Sequence, residues 1–548
     1  MKIFTYKIAV ISILTLPIFA CNNNIEEIPA TNHIKINTDT EIVKPPVDVE
    51  VQPVFSPRRI KSGDNIFNNY KDYLTTAFYH IPNTHLKYQT AQHTNNKQNI
   101  SFIIKDGNFI TNKVSNNSLY YDNFSIDIEP DKERFQCEKE LHRYNNLIYK
   151  DVDNSTITDN SSNYRYKSSY NFDKYNHSPN HIQLNQQVNN INITLNNSVI
   201  NTTAKLVTFD QVYLVDNKFI NRVNYEDLKR LADAFTKGKA KINQIFGYDI
   251  DTDHNGKIIF VLTTFNKKNI LGYFSSNDKL AKEFFVDTAD GLKKVINNKS
   301  NAGDYLYINI TELFHKDDIS IDNLYGTLLH EYQHMVSHDF RMIENPEISN
   351  SLDIWIDEGL SMLAEYNTGH VLSHKGYITK FFREKQKQSI TNFSHNSYGY
   401  SLLFFRYLYE VYGDGFIKNL YRSKETGIKA IEDSISLVVN KNIDFNDIYG
   451  DFVTMMVTTG KNITTNKKYE ISNFNYTTDQ IEYSQNGFNL QEILRNLNRQ
   501  NIDKYNIFSN AGNINIDTYG FQITNWIDID PIEINFTFDN QFIKGMHN

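Results

Sequence analysis

The sequence predicts an α+β protein: a middle part of helices around a small sheet, flanked by β-rich stretches at both ends. Between about residues 205 and 460, apolar residues recur at three- and four-residue spacing over long stretches, the period of a helix with one buried face. Outside that region, short runs such as Ile100-Ser101-Phe102-Ile103-Ile104 and Ile191-Asn192-Ile193-Thr194-Leu195 alternate apolar and polar residues, the period of a half-buried strand. Hydrophobic residues make up 40% of the 548 and aromatic residues 13%, enough to pack the cores of about two to four domains.

At the amino end, Lys2 and Lys7 precede an apolar run from Ile8 to Ala20 that is too short to span a bilayer. Residues 1–20 read as a secretory leader. The run ends in Leu16-Pro17-Ile18-Phe19-Ala20-Cys21, which resembles a bacterial lipobox and implies lipid attachment at Cys21, with Phe19 bulkier than is usual there. Ordinary cleavage nearby, with Cys21 incidental, is the competing reading. Residues 21–64 carry Pro29, Pro45, Pro46, Pro53 and Pro57 and few large apolar residues, so they read as an extended tether. The expected location is the bacterial cell envelope, on the periplasmic or outer face, with release into the medium as a variant. Cys137 is the other cysteine of the two, so a lipidated Cys21 leaves no internal disulfide.

Residues 65–204 read as a β-rich accessory domain, rich in Asn, Ser, Thr and Tyr. The middle part, 205–460, starts with a strand at Val212–Val215. A helix follows from Tyr225 to Ile245, capped by Asn224, with Leu228, Leu231, Phe235, Ile242 and Ile245 at core spacing. Strands are predicted at 257–264 and 305–310. A helix over 323–342 has Asp322 or Asn323 as its cap and Leu324, Leu328 and Met335 on its core face. A further helix over 355–366 stops at Gly369. Residues 461–548 return to strand patterns at 514–516, 520–524 and 532–538, a small C-terminal β-rich domain.

The chemistry is concentrated in His330-Glu331-Tyr332-Gln333-His334, an H-E-x-x-H inside the helix over 323–342. Residues i and i+4 of a helix share a face one turn apart, so His330 and His334 can reach one zinc ion, with Glu331 near enough to act as general base on water. Glu358 stands 24 positions after His334 and offers an anionic third ligand. His338, eight positions after His330, would point elsewhere on a continuous helix, and the glycine and third histidine of a metzincin are missing. Glu365 and Asp357 are candidates to orient the imidazoles from behind. Accidental occurrence of so short a motif is the competing reading, opposed by the two well-formed helices around it.

These blocks resemble the gluzincin metallopeptidases, and within them the hyicolysin family. His330-Glu331-x-x-His334 and Trp355-x-Asp357-Glu358-Gly359 carry the resemblance. Phe246-Gly247, Asp251-x-Asp253-x-Asn255-Gly256, Gly272-Tyr273-Phe274, Tyr305-Leu306-Tyr307-Ile308 and Tyr398-Gly399-Tyr400-Ser401-Leu402-Leu403 extend it over roughly residues 205 to 460. The resemblance implies a thermolysin-like catalytic core, zinc on His330, His334 and Glu358, Glu331 as general base, and protein or peptide substrates. It also implies an oxyanion donor from the downstream helices, for which Tyr398 is the first candidate and Tyr400, His395 and His370 follow. One alignment of Gly399 instead puts Asn396 at that position. The amine-binding G-x-M-E-N segment of related aminopeptidases has no counterpart near 305–310, which favours an endopeptidase over an aminopeptidase. A surface lipoprotein whose β-rich parts bind host matrix or glycan is the rival from another class.

Asp251-Thr252-Asp253-His254-Asn255-Gly256 matches the first half of a calcium loop, with Asp251, Asp253 and Asn255 as ligands. Position twelve falls on Leu262, which has no carboxylate, so a tight polar turn before a strand is the favoured reading. A net charge of −8 gives no basic footprint for nucleic acid. The anchoring reading is tested by Cys21→Ser, which should move the protein from the detergent phase to the aqueous phase or the medium. Continued partitioning into detergent would dispose of the lipid anchor.

Overall fold

The computed structural model describes residues 58–67, 74–82, 98–106, 188–195, 198–265, 271–280, 282–288, 291–315, 318–345, 351–371, 373–384, 388–393, 397–460, 511–517, 521–526, 532–537 and 543–547, with 348, 466, 468–471, 490, 493 and 519. The expected leader, Cys21, the tether as far as residue 57, and Cys137 lie outside the described residues. So do His395 and Asn396. The tether expected over 21–64 ends earlier, because strands β1 (Arg58–Ile60) and β2 (Gly63–Phe67) have already begun. Strands β3 (Leu74–His80) and β4 (Gln98–Asp106) follow.

The centre of the fold is a six-stranded mixed sheet. Its members are β5 (Ile191–Leu195), β6 (Ser198–Val207), β7 (Gln211–Asp216), β8 (Ile258–Thr263), β9 (Gly272–Phe274) and, after the hairpin β10 (Glu283–Thr288) and β11 (Gly291–Ile296), β12 (Tyr305–Asn309). Their spatial order is β5-β6-β7-β8-β12-β9. The neighbours β7, β8 and β12 run parallel, and β9 is antiparallel on β12 at the end of the sheet. Since β5 and β6 pair into this sheet, the expected boundary at residue 205 falls inside a strand. Period-two alternation sorts the side chains. Tyr213, Val215, Phe260, Leu262, Leu306 and Ile308 face the helical core. Val212, Leu214, Ile259, Val261, Tyr305 and Tyr307 face a smaller cluster shared with Ile191 and Ile193.

Parallel neighbours need a crossover, and α1 (Tyr225–Phe246) supplies the one between β7 and β8. Asn224 caps it by accepting from the Asp227 N–H, and Leu228, Leu231, Phe235, Ile242 and Ile245 are buried at the predicted spacing. After β12 come the short α2 (Glu312–His315) and the long α3 (Asp318–His338), which continues as a turn of π-helix over Asp339–Glu344. The predicted cap at Asp322 or Asn323 is wrong. The helix starts at Asp318, and the Asp322 carboxylate accepts instead from His370 Nδ1 at 2.9 Å. Helix α4 (Ile354–Thr368) ends at Gly369 in the left-handed conformation, φ 93°.

Helices α5 (His374–Glu384), α6 (Tyr398–Arg422), α7 (Gly427–Val439) and α8 (Phe445–Thr458) complete the helical part. They pack through aromatic rings, with Phe381 on Tyr400 and Phe404 on Phe452. Among the described residues, the strands of the two ends do not stay apart as the two β-rich domains expected from local pattern. Strands β13 (Ala511–Ile516), β14 (Phe521–Trp526), β15 (Ile532–Thr537) and β16 (Ile543–His547) interleave with the amino-terminal strands in two antiparallel sheets, β1-β16-β3-β14 and β13-β4-β15-β2. A strand pattern reports a strand; its partner is set by long-range packing, which the local pattern does not encode.

Tyr519 ties these sheets to the helices. It is fully buried with φ 55°, and its N–H donates to the His80 carbonyl. Its own carbonyl accepts from Ile390 N–H and from the hydroxyls of Tyr400 and Tyr449. A chain shortened to end before β13 leaves β3 and β4 without the neighbours on either side. Residues 58–106 should then become sensitive to limited proteolysis, read by mass spectrometry against the full chain. Undiminished protection would mean that the amino-terminal strands fold without the carboxyl-terminal ones.

Candidate metal centre

Helices α3 and α4 lie face to face and carry the site between them. His330 and His334 project from one side of α3, with ring centroids 4.9 Å apart. Glu358 comes from the first turns of α4, and its Oε2 stands 3.2 Å from His330 Nε2 and 3.8 Å from His334 Nε2. Zinc–nitrogen and zinc–oxygen bonds near 2.0–2.1 Å at tetrahedral angles put ligand atoms about 3.3 Å apart, so these spacings suit one ion. The candidate donor atoms of His330, His334 and Glu358 all lie within 4.8 Å of one another, a group compatible with a bound metal.

The outer nitrogens are also engaged. His330 Nδ1 donates to Glu365 Oε1 at 2.6 Å, and His334 Nδ1 meets Asp357 Oδ2 at 3.1 Å. These contacts fix which nitrogen of each ring faces Glu358. Electrostatics point the same way. Burial pulls the His334 imidazole down, but the carboxylates of Asp357 and Glu358 outweigh it and push it up to about 10. Burial works to raise the Glu365 carboxyl, yet its hydrogen bonds with His330 and His374 hold it well below the usual carboxylate range. The surroundings favour positive charge.

Glu331 is 1% exposed, and its Oε2 accepts from the Phe274 N–H of β9 at 2.9 Å. That approach needs Gly272, where a Cβ would stand 2.6 Å from Thr327 Cγ2 and 3.2 Å from Glu331 Cγ. Gln333 is the fourth residue of the motif. It donates to the Tyr421 hydroxyl and accepts from Ser361, locking α3 to α4 and α6.

The other candidates fall in varied places. Tyr398 is buried at the start of α6, with its ring 6.5 Å from that of His330. Tyr400 is held by Tyr449 and the Tyr519 carbonyl at the joint with the β-sheets, so its hydroxyl serves packing, which corrects its candidacy as an oxyanion donor. His370 pairs with Asp322 near the Gly326 side of α3, where Glu365 also lies, behind the His330 ring. His338 rests against Phe274, ring to ring at 5.5 Å, with Nδ1 near its neighbour Asp339. Sequence reasoning missed His374, whose Nε2 meets Glu365 Oε2 at 3.1 Å. It lies past the helix stop at Gly369, where helical spacing from Glu365 no longer applies.

Residues 251–256 form a tight polar turn, the reading favoured over a calcium loop. Asp251 accepts from the backbone N–H groups of Asn255 and Gly256, and the Asn255 side chain donates back to Asp253. Leu262, at position twelve, is buried in β8. Of the three expected ligands, Asp251 and Asp253 converge, while Asn255 is spent on the turn and Asp304 supplies the third carboxylate of a group that could hold an ion. Burial, then Asp304 and Asp251, push the Asp253 carboxyl up to about 9. Asp304 in turn pairs with Lys279, which also donates to Asp339 Oδ2 at 2.6 Å, all three sealed from solvent.

No family model matches the chain. It is 24% identical over 254 residues to the neutral metalloprotease ShpI of Staphylococcus hyicus, an alignment covering 43% of this chain and 53% of that protein. The chain thus spans about half the length of the curated relative it matches. The likeness is to a metalloprotease, and the group at His330, His334 and Glu358 is compatible with a bound metal.

The buried Lys279 pair yields a stability prediction. Lys279→Met strands two carboxylates in the interior and should cost roughly 3–5 kcal/mol, the usual penalty for breaking a buried pair from one side. Chemical denaturation of variant and parent measures it; a loss below about 1 kcal/mol would show that the pair contributes little.

Proposed function

We propose that the protein is a zinc-dependent metalloendopeptidase, with zinc on His330, His334 and Glu358. The observation that carries the reading is Glu331: a buried carboxylate one residue from the first imidazole, aimed by the backbone of the sheet's last strand. Bound zinc would supply Lewis acidity, bringing the pKa of a water towards neutrality. Glu331 takes the proton of the attacking water and hands it to the leaving amine. Strand β9, last in the sheet, offers an edge on which an extended substrate chain can pair, the general mode of strand addition. Edge pairing suits a site within a polypeptide better than one at its amino end. Among the described residues, Asp357 and Glu365 are further acids beside the site, and both are committed to histidines, which disfavours their capture of a free amine. Tyr398, beside His330, is assigned to the developing oxyanion. Attachment at Cys21 would hold this activity in the bacterial cell envelope.

The test separates base from ligand. Glu331→Gln should keep zinc and fold while activity falls about a hundredfold or more. Glu358→Ala, His330→Ala and His334→Ala should lose zinc or hold it weakly. Metal stoichiometry is read by elemental analysis beside hydrolysis of a doubly blocked quenched peptide, in which Tyr398→Phe should lower kcat with KM little changed. Normal activity in Glu331→Gln would remove the motif as the catalytic centre. Cleavage confined to free amino termini would make the enzyme an aminopeptidase.

A further inference from the structure

Behind His330 runs a buried chain of three side chains. Glu365 spans two imidazoles: its Oε1 accepts from His330 Nδ1 at 2.6 Å, and its Oε2 from His374 Nε2 at 3.1 Å. His374 is fully buried at the first position of α5, so it approaches Glu365 from outside α4. Glu365 Oε2 can only accept, so the His374 nitrogen that meets it, Nε2, is the donor. Its Nδ1 makes no hydrogen bond among the described residues, so Glu365 is the polar group that holds this ring. Gly326, one turn before His330 on α3, leaves the carboxylate its room: a Cβ there would stand 3.3 Å from Glu365 Oε2.

The geometry points to His374 as a positioning residue for the metal, acting through Glu365 on His330 and touching neither metal nor substrate. A carboxylate bound at one oxygen can still rotate and tilt the ring it holds. With both oxygens taken by imidazoles, its plane is fixed, and the direction of His330 Nε2 with it. Outer partners of this kind commonly change metal affinity by about 10- to 100-fold. The inference rests on the zinc reading above.

The test compares two substitutions of similar volume in the full chain. His374→Gln keeps an N–H donor near the position of Nε2, and His374→Leu removes it. Zinc affinity is measured by competition with a chromophoric chelator, and the coordination geometry by the visible absorption of the cobalt-substituted protein. His374→Leu should bind zinc about 10- to 100-fold more weakly with an altered cobalt spectrum, and His374→Gln should recover most of both. Equal affinities and spectra in parent, Leu and Gln variants would overturn the inference. Should the Leu variant not fold, His374→Ala carries the same decision: zinc affinity equal to the parent's overturns the inference, and a weakened hold that added imidazole restores supports it. A parent that holds no zinc at all is a separate result and would remove the metallopeptidase reading itself.

Discussion

Between α3 and α4 the molecule encloses Glu331, Asp357, Glu358 and Glu365 with His330 and His334, in a region where most of these groups are nearly sealed from water. Leaving a carboxylate unmatched in such a place costs several kcal/mol. Three of them are tied to a donor, Glu365 to two imidazoles, Asp357 to His334 and Glu331 to a strand N–H, while Glu358 faces the two inward nitrogens. The excess of negative charge favours a cation at that gap. The surrounding architecture can be read as what keeps this charged layer in register: sheet on one side, aromatic helices on the other, and Gln333 pinning the helices to each other.

The C-terminal end of α3 has a brace of its own. Asp339, on the π-turn that follows, is gripped by Lys279 and by the Ile250 N–H. Through Lys279 and Asp304 the grip reaches the turn at 251–256. The helix that carries both imidazoles is thus fastened at each end by groups from distant parts of the chain, Asp322 with His370 at one and Asp339 with Lys279 at the other.

What was legible in the sequence was local. Asn224 and the spacing from Leu228 to Ile245 gave α1 almost to the residue, and alternation gave β4, β5, β13, β14 and β15 but not β1, β2, β3 or β16. The i, i+4 spacing of His330 and His334 and the position of Glu358 on the next helix were readable because each is a property of one helix. What was hidden was pairing. Asp322 looked like a helix cap because its other partner, His370, lies 48 residues away. Asp304 and His374 gave no signal, since each reaches its neighbours across a break in the chain's regular structure. The two β-rich ends read as independent because nothing in an alternating run names the strand beside it.

The interleaving of those ends has a consequence for biosynthesis. On the order of four hundred residues separate β4 from β13, and at roughly 5–20 residues per second the ribosome needs tens of seconds to deliver the second after the first. For that interval β3 and β4 have bare edges, the very surfaces on which chains stick to one another. The helices and central sheet, made of strands and helices close in sequence, can be complete well before then. Folding of this chain should end where it began, with the last strands to leave the ribosome closing over the first.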